Sequence, residues 1–264
     1  MGNMEFLYQN YVNTTTIVTV TSGSTSVARL FDRKPSIIYS SSGDDSDLTT
    51  TSISVEFSSN KSVDRIVLQN INLKSFNIYY NSNTANKFSL SADCLTQTSE
   101  FSSNSATSLY LMCNTTTTIS SFQIAATSTI DANEEKKIGE LWVSGQILQL
   151  ERNPNARDYK ISRDRREFKH TMSDGGVATY VIQDNQKADI KIKYISDNQY
   201  DDFDAMYNLL EPIVFVPFPT GTGWQNEKHT IWEMNWTDDF DETFSSNIKG
   251  NGFNARLRLS ETPK

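Results

Sequence analysis

Ser75-Phe76-Asn77-Ile78-Tyr79-Tyr80 alternates strictly, so an extended backbone puts Phe76, Ile78 and Tyr80 on one face and turns Tyr79 to the other. The same short, β-branched, turn-bounded pattern recurs on either side. Thr16–Val20, Ser52–Phe57 and Asp64–Leu68 precede it, and Ser108–Cys113, Ser120–Ala125 and Gly139–Leu148 follow. No ten-residue stretch before residue 150 has clean helical spacing. Many short antiparallel strands joined by Ser/Thr/Asn-rich loops predict a sandwich or barrel.

The polar, Pro-containing stretch Glu151-Arg152-Asn153-Pro154-Asn155-Ala156-Arg157 is the expected boundary between two domains, residues 1–150 and 157–264. Beyond it, strands are expected near Tyr159–Ser162, Glu167–Met172, Val177–Gln183 and Ala188–Ile195. One helix is expected over about 201–210. Phe203, Met206, Tyr207 and Leu210 fall at helical spacing there, acidic residues crowd its start and Pro212 ends it. Strands at Ile213–Phe218, Thr230–Trp236 and Phe253–Leu259 close that domain. The predicted class is mostly β: a sandwich or barrel, then a second β domain with one helix.

The chain of 264 residues has a formal net charge of −8. Residues 1–150 carry 9 basic and 13 acidic groups and residues 151–264 carry 15 and 19, so each half is near −4. Such a balance offers no general attraction to phosphate backbones and argues against sequence-specific nucleic-acid binding. The first residues show neither a basic nor an apolar signal region, and no apolar run reaches the ~20 residues of a membrane span. Maturation in a cytoplasm is the expectation. Cys94 and Cys113 are too few for a disulfide framework and are expected to be free thiols.

Only His170 and His229 could serve as imidazole bases. They lie far apart, beside no acid or cysteine at ligand spacing, and no nucleophile elbow appears. The expectation is a protein that is not an enzyme. Sugar binding would use exposed aromatics beside polar loop ends, for which Tyr39, Tyr79, Tyr80 and Asp32 are the candidates. Of the acidic clusters Asp44-Asp45-Asp47, Asp201-Asp202-Asp204 and Asp238-Asp239-Asp241, the second reads as a helix start. Asp32, Asp44 and Asp45 are the candidate ligands for Ca²⁺, whose oxygen preference they suit. The mixed-sign run from Arg152 to Lys169 reads as a solvated or subunit-contacting hairpin. Trp224, on a Gly/Pro-rich loop, is the candidate oligomer contact.

Two resemblances extend this reading. Leu30-Phe31-Asp32, Tyr39, Ile53-Ser54-Val55-Glu56-Phe57, Val63–Leu68, Phe76–Tyr80 and Gly139–Val143 together resemble the discoidin-like, galactose-binding jelly rolls over about residues 25–150. Tyr39 stands where that pattern has Trp, and Asn81–Thr84 replace its acidic-Gly-Trp turn. Leu209–Thr220, Ile231–Trp236 and Asn251–Glu261 resemble phage tail-tube and baseplate proteins. The second resemblance implies a small split barrel with one helix in a structural protein of a phage tail. It would be assembled in the host cytoplasm as a ring with other tail proteins, which the N-terminal jelly-roll sandwich would decorate and link to a cell-surface glycan. The alternative is a free carbohydrate-binding or adhesion protein without catalysis; a glycan-active enzyme ranks third.

Overall fold

The computed structural model describes residues 3–173, 175–217, 219, 232–237, 241–244 and 253–261. The chain is mostly β and falls into two compact units. The first comprises Gln9–Ile147 with Met1–Gly2 and Val216–Ile231, and the second comprises Asn3–Tyr8, Leu148–Phe215 and Trp232–Lys264. The division differs from a simple cut at residue 150, because β1 (Glu5–Leu7) belongs to the sheet of the second unit. All three residues of β1 are buried. A strand buried on both faces shows no alternation, and three residues are too few to mark it in sequence.

In the first unit, β2 (Ile17–Val20) and a 3₁₀ helix (Ser24–Leu30) lead to β3 (Tyr39–Ser40) and the long β4 (Thr51–Gln69). Then follow β5 (Leu73–Tyr80), β6 (Asn83–Lys87), β7 (Glu100–Phe101), the long β8 (Ser108–Thr129), β9 (Lys137–Ile138) and β10 (Glu140–Ser144). Seven strands make one antiparallel sheet in the order β10-β4-β8-β5-β6, with β2 beside β4 and β7 beside β5; β3 and β9 pair separately. The expected pairs of short strands at 52–57 and 64–68, and at 108–113 and 120–125, are thus single strands that bend.

The bends have a shared cause. Glu56 faces Ser121 but Lys61 faces Ile119, so β4 takes five steps while β8 takes two and three β4 residues are extra. Val63 faces Thr117 but Arg65 faces Met112, so three extra residues then lie on β8. The two excesses cancel, and the register that pairs Thr51 with Ala126 also pairs Gln69 with Ser108. Ser58–Asn60 and Asn114–Thr116 are exposed, and bulges of this kind bend and twist a ladder. On one side of the bend, Thr51, Ile53 and Val55 are buried in alternation; on the other, Ile66–Gln69 and Leu109–Cys113 are buried without a break. Cys94 and Cys113 are buried free thiols, and burial pushes the Cys113 thiol up to about 12.

The β10 side is closed tightly. Asn10 donates to the Leu141 carbonyl (2.8 Å) and accepts from the Val143 amide (3.0 Å), so the chain before β2 runs along β10. A Cβ on Gly145 would lie 1.9 Å from the Ser62 carbonyl oxygen, so no larger residue fits there. Trp142 is fully buried with the Arg33 guanidinium 3.9 Å from its ring centroid. The buried Glu140 carboxylate accepts from the Arg33 amide (3.0 Å) and pairs with its side chain.

In the second unit, β1 joins β11 (Ile147–Gln149), β12 (Tyr159–Thr171), β13 (Val177–Ile195), β14 (Ile213–Val216), β15 (Trp232–Trp236), β16 (Asp241–Phe244) and β17 (Phe253–Glu261). Their order is β11-β1-β14-β15-β17-β13-β12, with β16 on β17. Its core gathers Phe6, Ile190, Phe203, Met206, Phe215, Met234 and Leu257, with Phe6 stacked on Phe215 at 5.0 Å. The single α-helix of the described residues, α1, runs over Asp197–Asn208 rather than 201–210. Ser196 caps it, its hydroxyl accepting from the Gln199 amide, so Asp201, Asp202 and Asp204 lie inside the helix and not at its start. Phe203 and Met206 face the core as their spacing requires, whereas Leu210 lies beyond the helix at φ 53° and is exposed. No helix among the described residues is long and apolar enough to cross a membrane.

Candidate functional site

The structure does not gather the sequence candidates into one place. Tyr39 is fully buried and donates from its hydroxyl to the Ser22 carbonyl (2.6 Å). Burial pushes that phenol up to about 12, and the ring offers no face to a ligand. Tyr39 sits with the loops around Asp44 and Lys136, beside the Leu73 end of β5, where Asn72 bonds the Glu135 carbonyl (2.9 Å). Tyr79 and Tyr80 lie at the other end of that eight-residue strand, about 23 Å away at a strand's rise.

The loop cluster near Tyr39 is already occupied by its own cation. Lys136 is buried, donates to the Ser46 carbonyl (2.6 Å) and lies 3.8 Å from an Asp44 oxygen. The second Asp44 oxygen accepts from the Thr51 hydroxyl (2.7 Å). Hydrogen bonds from Thr49 and Thr51, with the Lys136 charge, hold this carboxyl below its usual range. Asp32, by contrast, is raised by burial while accepting from the Lys34 amide (2.9 Å). Among the described residues no three carboxylate, imidazole or thiolate groups come together as metal ligands, and both Asp44 oxygens already meet donors of this chain. An ammonium already meets the carboxylate that a cation would need. Asp238, Asp239, His229, Trp224 and the Gly221–Gly223 and Gly250–Gly252 loop tips lie outside the described residues. His170 is exposed on β12.

Tyr80 turns inward, its ring 4.9 Å from that of buried Phe88. Tyr79 turns outward, and the sheet register builds a surface around it. Directly paired residues share a face, so Thr19, Ser54, Gln123, Tyr79 and Lys87 form one row across β2, β4, β8, β5 and β6. Two residues along, Ser52, Ala125, Asn77 and Glu100 form a second row. At the usual strand spacing each row spans roughly 15–20 Å. Every member is half-buried or exposed. Lys87 and Glu100 pair at one end.

Chemically, this face offers one aromatic ring in a field of amides and hydroxyls. Gln123 lies directly across from Tyr79 and Asn77 two residues along its strand, each with donors and an acceptor. Ser52 and Ser54 add hydroxyls, and Ala125, between Ser52 and Asn77 in the second row, leaves the surface low. Strand alternation places Asn77 on the Tyr79 face. Gln123, Ser54 and Lys87 required the register, which the bulged strands conceal from a reading of sequence alone.

No protein-family model matches the chain, and no curated protein matches it. Solved structures similar to part of it include the family 32 carbohydrate-binding module of Clostridium perfringens NanJ in complex with galactose. It is 15% identical with a TM-score of 0.38, covering 53% of this chain and 98% of that one. The chitosan-binding module 1 from the chitosanase/glucanase of Paenibacillus sp. IK-5 is 16% identical with a TM-score of 0.39, covering 52% and 99%. The family 32 carbohydrate-binding module of Streptococcus pneumoniae EndoD is 17% identical with a TM-score of 0.36, covering 52% and 99%.

Proposed function

We propose that the chain is a non-catalytic binding protein whose first unit takes a carbohydrate on the sheet face around Tyr79. The observation that carries this reading is the pair of cross-strand rows, in which Tyr79 is flanked by Gln123 and Asn77 with hydroxyls beyond. A sugar presents an apolar C–H face and a rim of hydroxyls, each both donor and acceptor. A single aromatic ring set among amides meets both requirements. Neutral sugars suit it best, because the Lys87–Glu100 pair cancels the charge at its edge.

The test is an array of neutral and acidic glycans, followed by calorimetry on the best binder. Tyr79→Ala is expected to weaken binding at least ~10-fold, and Gln123→Ala several-fold, while Tyr180→Ala in the second unit changes nothing. Binding that survives Tyr79→Ala undiminished moves the site elsewhere. Turnover of a polysaccharide by the intact chain overturns the non-catalytic reading. A second reading, that this binder is carried on a phage tail, draws on the resemblance of Leu209–Thr220 and Asn251–Glu261 to tail proteins and on the exposed β12–β13 hairpin. Adjacent genes for a tape-measure or capsid protein would support it.

A further inference from the structure

The rows around Tyr79 have a length, a width and two open ends. In the longer row, Thr19, Ser54, Gln123, Tyr79 and Lys87 stand on five adjacent strands, each about one strand spacing (~5 Å) from the next. The sugars of a linear polymer repeat at about that step. A chain laid across the strands therefore brings a new sugar over each strand in turn. Both ends of the row are sheet edges, since among the described residues no strand pairs with the outer side of β2 or of β6. Thr19, at one of those ends, is exposed. No strand stands there as a wall at which a chain would have to stop.

The polar groups of the two rows are also unused. Thr19, Ser54, Gln123, Ser52 and Asn77 make no side-chain hydrogen bond to another described residue. On β8 and β5 this property ends abruptly on either side. The Ser121 hydroxyl lies 3.1 Å from that of Ser82, and Thr127 donates to the Ser75 carbonyl (3.1 Å). The Ser75 hydroxyl in turn donates to the Ser102 carbonyl (2.9 Å). What remains is a strip two rows wide, ~7 Å between rows, which is the width of one sugar chain and not of several.

We infer that the ligand of this strip is the interior of a single soluble, linear, neutral glycan, lying across the strands from β2 to β6. The inference rests on the reading that this face takes a carbohydrate, and it adds the form of that carbohydrate. A strip of roughly 15–20 Å at ~5 Å per strand accommodates about four sugars. Twist separates one chain from a crystalline surface. Neighbouring strands turn by roughly 20–25°, so the longer row turns by on the order of 80–100° over its length. A flat array of packed chains touches such a row at one place, whereas a single chain turns with it. Tyr79 is the one ring in the two rows, and a lone ring supports one sugar rather than a plane of them.

Calorimetry on the full chain, with ladders of one to six β-1,4-linked glucose, mannose or N-acetylglucosamine units, tests this. On the ladder that binds, affinity is expected to rise at least ~3-fold per sugar up to about four and then level off. Reducing the terminal sugar of the hexamer to its alditol should leave its affinity within about 2-fold. Thr19→Ala with Ser54→Ala should weaken the hexamer about 5-fold and leave the disaccharide unchanged, whereas Tyr79→Ala weakens every length. The insoluble crystalline polymer should retain no protein. Affinity already complete at the monosaccharide, or lost on capping the reducing end, overturns the inference and makes Tyr79 a site for chain ends. A hexamer indifferent to Thr19 and Ser54, or retention on the crystalline polymer, overturns it as well. If every ladder fails while branched or acidic glycans bind, the inference falls and the carbohydrate reading stands; if no glycan of any kind binds, both fall.

Discussion

β4 with β8, and β12 with β13, are both long antiparallel pairs, yet one pair is the core of its unit and the other stands largely in water. The difference lies in what flanks them. β4 and β8 have β2, β10 and β5 at their sides, so Ile53, Val55, Ile66, Phe122 and Ile124 are all buried. β12 is an edge, and from Val177 to Gln186 β13 has no second neighbour among the described residues. Their irregularities differ accordingly. The covered pair carries two compensating three-residue bulges that let one sheet fold over a core, whereas the exposed pair has a single shift between Arg166 and Glu167 and runs on. Strand pairing alone thus does not make a core; flanking strands and a bend do.

The largest effect is expected from unbalancing the bulges. Deleting Ser58–Asn60 alone shifts one half of β4 by three residues relative to the other. An odd slip exchanges the buried and solvent faces. That variant should lose cooperative unfolding, a cost above about 4 kcal/mol, in denaturant titrations followed by tryptophan fluorescence. Deleting Asn114–Thr116 as well restores one register throughout and should recover a folded unit. If the single deletion is as stable as the paired one, the two bulges are not a matched set.

A second comparison sets a buried ring against an exposed one. Trp142→Ala removes a fully buried side chain and should cost about 3–5 kcal/mol of unfolding free energy. Phe168→Ala on the exposed part of β12 should stay within about 0.5 kcal/mol. Similar costs for both would mean that this part of β12 is packed within the single chain.

The smallest effect belongs to the base of the exposed pair, where Arg256 on β17 grips Asp189 on β13 at 2.9 and 2.6 Å. Hydrogen bonding to Arg256 first, then its charge, holds the Asp189 carboxyl below its usual range. A depressed folded value means the contribution is present above the unfolded value near ~4 and is lost as pH falls below it. Asp189→Asn should therefore lower stability modestly at pH 7 and flatten its decline between about pH 4 and 2. An unchanged acid limb would show that this pair does not contribute.

How much of this was legible follows from what alternation can and cannot encode. The faces of Phe76–Tyr80 came directly from spacing, as did Phe203 and Met206 as the core side of α1. The helix starts four residues before the acidic run at Asp201, because the Ser196 hydroxyl caps it. Strand ends carry no mark in sequence where charged and amide residues simply continue a strand, as Arg163–Arg166 and Asp184–Lys187 do. The burial of Tyr39 is not legible, because a buried tyrosine with a bonded hydroxyl has no distinguishing pattern in sequence. The Tyr79 face was half visible, since Asn77 follows from alternation but Gln123 depends on a register that two bulges hide.

The placement of Glu5–Leu7 between β11 and β14 also sets a timetable for synthesis. Leu7 leaves the ribosome 206 residues before Ile213, the start of the strand that covers its second edge. At roughly 5–20 residues per second, that is a delay of about 10–40 seconds. The first unit has its own strands in hand by then, and the second has not. For that interval Phe6 and Leu7 travel as an unshielded apolar edge, the segment a chaperone would be expected to hold and the place where hurried expression would first produce aggregates.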